Sequence, residues 1–123
     1  MDWRHRVKIL IVDDDDQVLG MLREFLETLH HEIAGKALDG QAALKLFRVN
    51  PNGVDLLITD IAMPKLTGLG LVRLVRERRP NIPVIVMTGD PSDLPENPNF
   101  AVLLKPYSLA DLRAAIEEAM KKP

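Results

Sequence analysis

The sequence predicts an α/β protein built on a doubly wound, five-stranded parallel sheet, and three observations carry that reading. Short apolar runs suited to strands buried on both faces alternate with segments whose apolar residues recur at helical spacing. The alternation has the period of βαβ units, whose right-handed crossovers leave the carboxyl ends of all the strands on one side of the sheet. At 123 residues the chain is about one ordinary domain, long enough to bury well over half of its unfolded surface.

The first run, residues 8–12 (Lys-Ile-Leu-Ile-Val), ends in four consecutive aspartates, Asp13, Asp14, Asp15 and Asp16. Four like charges at the end of a core strand are unfavourable unless a cation or solvent relieves them. Two readings fit: a hard divalent ion such as Mg²⁺, which prefers carboxylate oxygen, and helix-start residues, because Asp suits the N-cap and first turn. The first two aspartates are assigned to a site and Asp15 or Asp16 to the cap. Over 17–31, Val18, Leu19, Leu22, Phe25, Leu26 and Leu29 give a helical stripe. His30 and His31 are expected to close that helix at its negative end, where two adjacent histidines cannot face one metal. Residues 32–38 alternate weakly, as an edge strand does. Asp39-Gly40 then turns the chain, and Ala42, Ala43, Leu46 and Phe47 mark a short second helix ending near Asn50-Pro51-Asn52-Gly53.

The central run is Leu56-Leu57-Ile58, which stops abruptly at Asp60 and, four residues on, Pro64. Ligands of open α/β sheets bind beyond the carboxyl ends of the strands, so an Asp delivered there is a site candidate; alone, it would read as a turn carboxylate. After the loop 63–68, residues 69–79 predict a third helix with Leu71, Val72 and Val75 inward and Arg73, Arg76, Arg78 and Arg79 outward, a basic face that reads as solvated. Residues 83–90 form a strand ending at Thr88, and 100–104 form one ending at Lys105-Pro106. Ser108 and Asp111 resemble a capping box opening the last helix, with Leu109, Leu112, Ala115, Ile116, Ala119 and Met120 inward.

That topology brings Asp13, Asp14, Asp60, Thr88 and Lys105, from four strands, to one crevice. Carboxylates, a hydroxyl and an ammonium suit Mg²⁺ and a phosphoryl group. The metal neutralises carboxylate and phosphoryl oxygens, Lys105 gives a fixed countercharge and Thr88 a hydrogen bond. An Asp can also act as nucleophile and form an acyl phosphate, and Asp60, opposite the acidic pair, is the natural choice. Bulk properties exclude other chemistries. The absence of cysteine removes disulfide, thiolate-metal and Cys-nucleophile functions, and a net charge of −2 argues against general affinity for nucleic acid or anionic membranes. No apolar run reaches the roughly 18 residues of a membrane span, and the start has no signal-peptide segment. The expectation is a cytoplasmic single domain over 1–123.

Val12-Asp13-Asp14, Asp60 within Asp60-Ile61-Ala62-Met63-Pro64, Gly68, Thr88-Gly89 and Lys105-Pro106 together resemble the response-regulator receiver domain, the CheY-like module of two-component signalling; the match runs over about 8–120. The resemblance implies a flavodoxin-like sheet of order 2-1-3-4-5 and phosphorylation of Asp60 by a sensor histidine kinase or phosphotransfer protein. It implies Mg²⁺ held by Asp13 or Asp14, Asp60 and the backbone carbonyl of Ala62. It further implies that Thr88 swings toward the phosphoryl group, that Lys105 contacts it, and that the Lys105-Pro106 bond can be cis. Such a protein is a regulator, catalysing only its own phosphotransfer and dephosphorylation, that controls a partner or output domain and can form homodimers.

Two features depart from the pattern. Only 11 residues separate Thr88 from the strand at Phe100, and they include Pro91, Pro95 and Pro98. A parallel crossover usually needs a dozen or more residues and a helix, so the fourth crossover helix is expected to shrink to about one turn near 90–94 or to be missing. Three residues before the Lys, where receivers often carry an aromatic, stands Val102. Phe100, on the same strand face, either substitutes for it or packs as ordinary core. A haloacid-dehalogenase-type phosphohydrolase would need an acid where Ala62 stands, and a nucleotide-binding fold would need a Gly-rich loop where the aspartates stand. The remaining alternative is a receiver-like binding module that switches without phosphate.

Overall fold

The computed structural model describes residues 6–121; the chain ends read above, 1–5 and 122–123, lie outside the described residues. Strands β1 (Lys8–Val12), β3 (Leu56–Asp60) and β4 (Val84–Thr88) form the centre of the sheet, and every residue of β3 and β4 is buried. Their Leu, Ile and Val content is what a strand covered on both faces requires. β2 (Glu32–Ala37) and β5 (Ala101–Leu104) have interrupted burial and lie at the two edges. All pairings are parallel and the order is β2-β1-β3-β4-β5, as the resemblance implied. The chain runs outward from β1 to β2 and then returns past β1 to β3. The reversal of direction therefore falls between β1 and β3, the place where open α/β sheets leave a crevice.

Among the described residues, four α-helices cover the sheet: α1 (Asp16–Thr28), α2 (Gly40–Val49), α3 (Gly68–Arg78) and α4 (Leu109–Met120). α1 and α4 pack on the face carrying Ile9, Ile11, Leu56, Ile58, Ile85 and Met87; α2 and α3 pack on the face carrying Leu10, Val12, Leu57, Val84 and Val86. Leu22 and Leu26 of α1 are fully buried, worth about 1.5–3 kcal/mol each. Asp15 caps α1 by accepting the N–H groups of Gln17 and Val18. The Ser108 and Asp111 capping box is formed as predicted, its side chains satisfying each other's backbone N–H groups.

One local expectation is corrected. The first helix stops at Thr28, because His30 takes a positive φ of 68° that turns the chain; His31 is then not a helix-closing residue but a buried ring whose Nδ1 accepts the Val7 N–H at 3.1 Å. The short second helix is present, with Gly40, Ala43, Leu44 and Phe47 buried and Leu46 exposed. The fourth crossover matches its prediction. Between β4 and β5 the described chain holds one 3₁₀ turn, Pro91–Asp93, capped by the Asp90 carboxylate, and no α-helix. The Lys105–Pro106 peptide is cis.

Candidate functional site

The crevice is assembled from strand ends. Asp13 follows β1 directly, Asp60 and Thr88 are the last residues of β3 and β4, and Lys105 follows β5. Asp13 and Thr88 are each 1 % exposed and Asp60 is 8 % exposed, whereas Asp14 faces solvent. One carboxylate oxygen from each of Asp13, Asp14 and Asp60 lies within 4.8 Å of the others.

A backbone N–H and Lys105 hold Asp13 in place, and Lys105 also reaches Asp60. Asp13 Oδ1 accepts the N–H of Asp15, so the turn into α1 orients it; Asp13 Oδ2 accepts from Lys105 Nζ at 2.9 Å. The same Nζ donates to Asp60 Oδ1 at 3.2 Å. One ammonium therefore serves two buried carboxylates. Burial, and then the neighbouring Asp13 charge, push Asp60 above the usual carboxylate range, and Lys105 offsets this only in part. Desolvation works to lower Lys105, but the hydrogen bond and charge of Asp13, and then Asp60, outweigh it, so the Lys105 ammonium is held above its ordinary value. Burial leads the Asp60 shift, whereas the two neighbouring carboxylates carry that of Lys105.

The loop after β3 is drawn close by Gly68. Its N–H donates to the Ile61 carbonyl at 2.9 Å, and a Cβ there would run into the Asp60 carbonyl oxygen and the Ile61 Cα. Only glycine permits α3 to start against the strand that carries Asp60. Ala62 lies in the exposed bend just beyond Asp60.

Thr88 lies at the same end of the sheet with its hydroxyl engaged elsewhere. Oγ1 donates to the Asp90 carbonyl and accepts the Asp90 N–H, both at 3.1 Å. The site therefore has its acids and its lysine joined, with the threonine tied into its own loop. Val102 is half-buried in β5, and Phe100 precedes that strand and packs against the core on the α2 and α3 side, which favours the ordinary packing reading. Tyr107 was not singled out from sequence. It is buried with its hydroxyl unpartnered, meets Phe25 edge to face at 6.1 Å, and is pushed up to about 12 chiefly by burial. An aromatic just after a cis-proline loop reads in sequence as core, so nothing flagged it.

Three carboxylate oxygens at mutual reach, hard and anionic, fit a small divalent cation that keeps some of its waters.

A family model described as the response regulator receiver domain matches residues 9–117. The transcriptional regulatory protein PdtaR of Mycobacterium tuberculosis is 33% identical over 120 residues, which cover 94% of this chain and 57% of that protein. Sensor kinase CckA of Brucella abortus is 31% identical over 123 residues, covering 93% of this chain and 12% of the kinase. Among solved structures, a response regulator receiver domain protein from Clostridium thermocellum superposes with a TM-score of 0.83 at 31% identity, covering 93% of this chain and 94% of that one. The chain spans about half or less of the length of several curated relatives that it matches.

Proposed function

The chain belongs to the response regulator receiver domain family of two-component signalling, and from that premise we propose that Asp60 is its phosphoacceptor and Asp13, Asp14 and Asp60, with the Ala62 carbonyl, its Mg²⁺ site. The observation that carries the proposal is the sharing of one Lys105 ammonium between buried Asp13 and Asp60. Such an arrangement is under-compensated as it stands, and a cation or a rearranged charge set relieves it.

Receiver domains take phosphoryl groups from histidine kinases or phosphotransfer partners, and here the donor is a phosphohistidine of such a partner. An Asp60 carboxylate oxygen forms the bond to phosphorus as the phosphorus–nitrogen bond breaks, and the electron pair returns to the imidazole. A Mg²⁺ held by Asp13, Asp14 and Asp60 would supply positive charge that offsets the carboxylates and the incoming phosphoryl group. Lys105 keeps its hold on Asp13 and moves its second hydrogen bond from Asp60 to a phosphoryl oxygen. Thr88 leaves the Asp90 backbone and donates to another phosphoryl oxygen, which shifts the loops after β4 and β5. Water later hydrolyses the acyl phosphate. The domain, with its core over about 8–120, acts in the cytoplasm and passes its state to an output partner or a second copy.

The test is intact mass after incubation with acetyl phosphate, with and without Mg²⁺, beside Asp60→Asn. Gain of one phosphoryl group that requires both Mg²⁺ and Asp60 supports the proposal. No gain in any condition leaves the phosphate-independent binding module as the surviving reading.

A further inference from the structure

The short fourth crossover leaves part of the α3 side of the sheet thinly covered. Beyond Val86, the β5 residues on that face are Val102, half-buried, and Leu104, 49 % exposed, while Leu103 between them faces the opposite core. Leu94 and Phe100 from the helix-poor connection take the place of a helix. Next to them runs an open groove of about 340 Å³ between α3 and the chain entering β5, floored by Leu69, Val72 and Phe100. That space holds a few side chains, and its apolar floor suits a peptide better than a polar metabolite.

The groove wall is cationic. Arg73 is exposed and Arg76 half-buried, and neither forms an ion pair among the described residues. Arg76 donates to the carbonyls of Asn99 at 2.8 Å and Ile82 at 3.1 Å, while its Nε is buried without a partner. Carbonyl dipoles orient the guanidinium but do not cancel its charge. Glu77 is the one acid lining the groove, so two cations face one anion. The net charge of −2 over the chain and the apolar floor disfavour a polyanion such as nucleic acid.

We propose that this groove docks an acidic amphipathic helical segment of a partner protein, its apolar residues seated over Leu69, Val72 and Phe100 and its carboxylates facing Arg73 and Arg76. Apolar side chains at helical spacing fill such grooves, and the opposite charges fix orientation and speed encounter. The docking needs no phosphoryl group, so it stands apart from the reading of Asp60.

The test is a display library of short helical peptides, random at every surface position, selected against the full chain and mapped by amide chemical shifts. Selected peptides are expected to combine Asp or Glu with Leu or Phe at helical spacing and to shift amides of α3 and of residues 99–102. Arg73→Glu is expected to weaken them by about tenfold, and peptides with Lys in place of the acids to recover binding to that variant. Circular dichroism of Arg73→Glu matching the wild type keeps this comparison sound, and Leu69→Lys on the groove floor is a second variant expected to lose binding. Peptides without acidic bias, shifts centred away from α3, equal binding to Arg73→Glu, or self-association of the chain through this groove would each overturn the proposal.

Discussion

At the amino end of the sheet the buried titratable group has a partner of its own, and at the carboxyl end two buried carboxylates share one ammonium. His31, 7 % exposed, stays neutral and accepts the Val7 N–H just ahead of β1, while Asp55 accepts the Lys8 N–H at 2.9 Å. Each donor there meets one acceptor. Across the molecule, Asp13 and Asp60 are as deeply buried, yet they divide a single ammonium, and Asp60 is driven above its usual range. The same strands thus end in polar groups that serve the fold at one edge and strain it at the other. Conflict of this kind between local preference and global fold collects where a ligand is expected.

The strongest way to break the carboxyl end is steric. Gly68→Ala places a methyl group against the backbone of Asp60, the last residue of β3, and of Ile61, which follows it, so it is expected to cost about 3 kcal/mol or more. Urea unfolding would show the loss as a lowered midpoint; an unchanged midpoint would mean that α3 shifts freely and that the glycine does not fix the site. Next in size is Lys105→Met. It removes the ammonium that Asp13 and Asp60 share and is expected to cost about 2 kcal/mol at neutral pH. Millimolar Mg²⁺ should restore much of that loss, read as a larger metal-induced rise in Tm than in the wild type; equal rises would contradict a metal site at these carboxylates.

Removing one of the two like charges acts in the opposite direction. Asp60→Asn keeps the shape and the Lys105–Asp13 pair while ending the repulsion, so it is expected to stabilise the chain by about 1 kcal/mol at neutral pH. A raised pKa means that the ionised Asp60 weakens the native state above that pKa. The gain should therefore shrink as the pH falls and wild-type Asp60 takes up its proton. A destabilised Asn variant would show that Asp60 is satisfied by its neighbours and that the contrast between the two ends is false.

Much of this contrast is legible in the residues alone, because it follows from where strands stop. Leu56-Leu57-Ile58 before Asp60 and Ile9-Leu10-Ile11-Val12 before Asp13 are buried runs with charged ends, and parallel topology does the rest. The prolines at 91, 95 and 98 equally announce the helix-poor crossover. The hydroxyl state of Thr88 was out of reach. A strand-end threonine can turn to the crevice or to its own loop, and the Asp90 backbone that captures it is set by a turn of a few residues. His31 was misread for a related reason: helical spacing continues through Leu29, and the positive φ of His30 that ends the helix carries no glycine to mark it. Arg76 and Arg79 read as a solvated basic face, yet their long stems fold back so that Arg76 donates to Asn99 and Ile82 and Arg79 to Pro51 and Val54. Sequence periodicity reports the direction of Cβ, not where a flexible head group comes to rest.

The smallest expected effect sharpens the satisfied end. Burial first, then the charges of His30 and Arg6, hold His31 below the ordinary histidine value of about 6.5. In the unfolded chain His31 takes up a proton near that value, whereas in the native chain it does so only at lower pH. Its contribution is therefore fully present above about 6.5 and is lost as the pH falls toward the native value. Protonation also converts the Nδ1 acceptor into a donor facing the Val7 N–H, so the bond at the start of β1 is exchanged for a clash of donors. His31→Gln can keep the acceptor without titrating, since its amide oxygen can take the same N–H. The difference in unfolding free energy between wild type and His31→Gln should thus move by about 0.5 kcal/mol toward the Gln variant between neutral pH and pH about 5. Every other residue is common to the two proteins. Parallel pH profiles would show that His31 is not held neutral by the fold, and the amino end would then share the frustration of the acidic crevice.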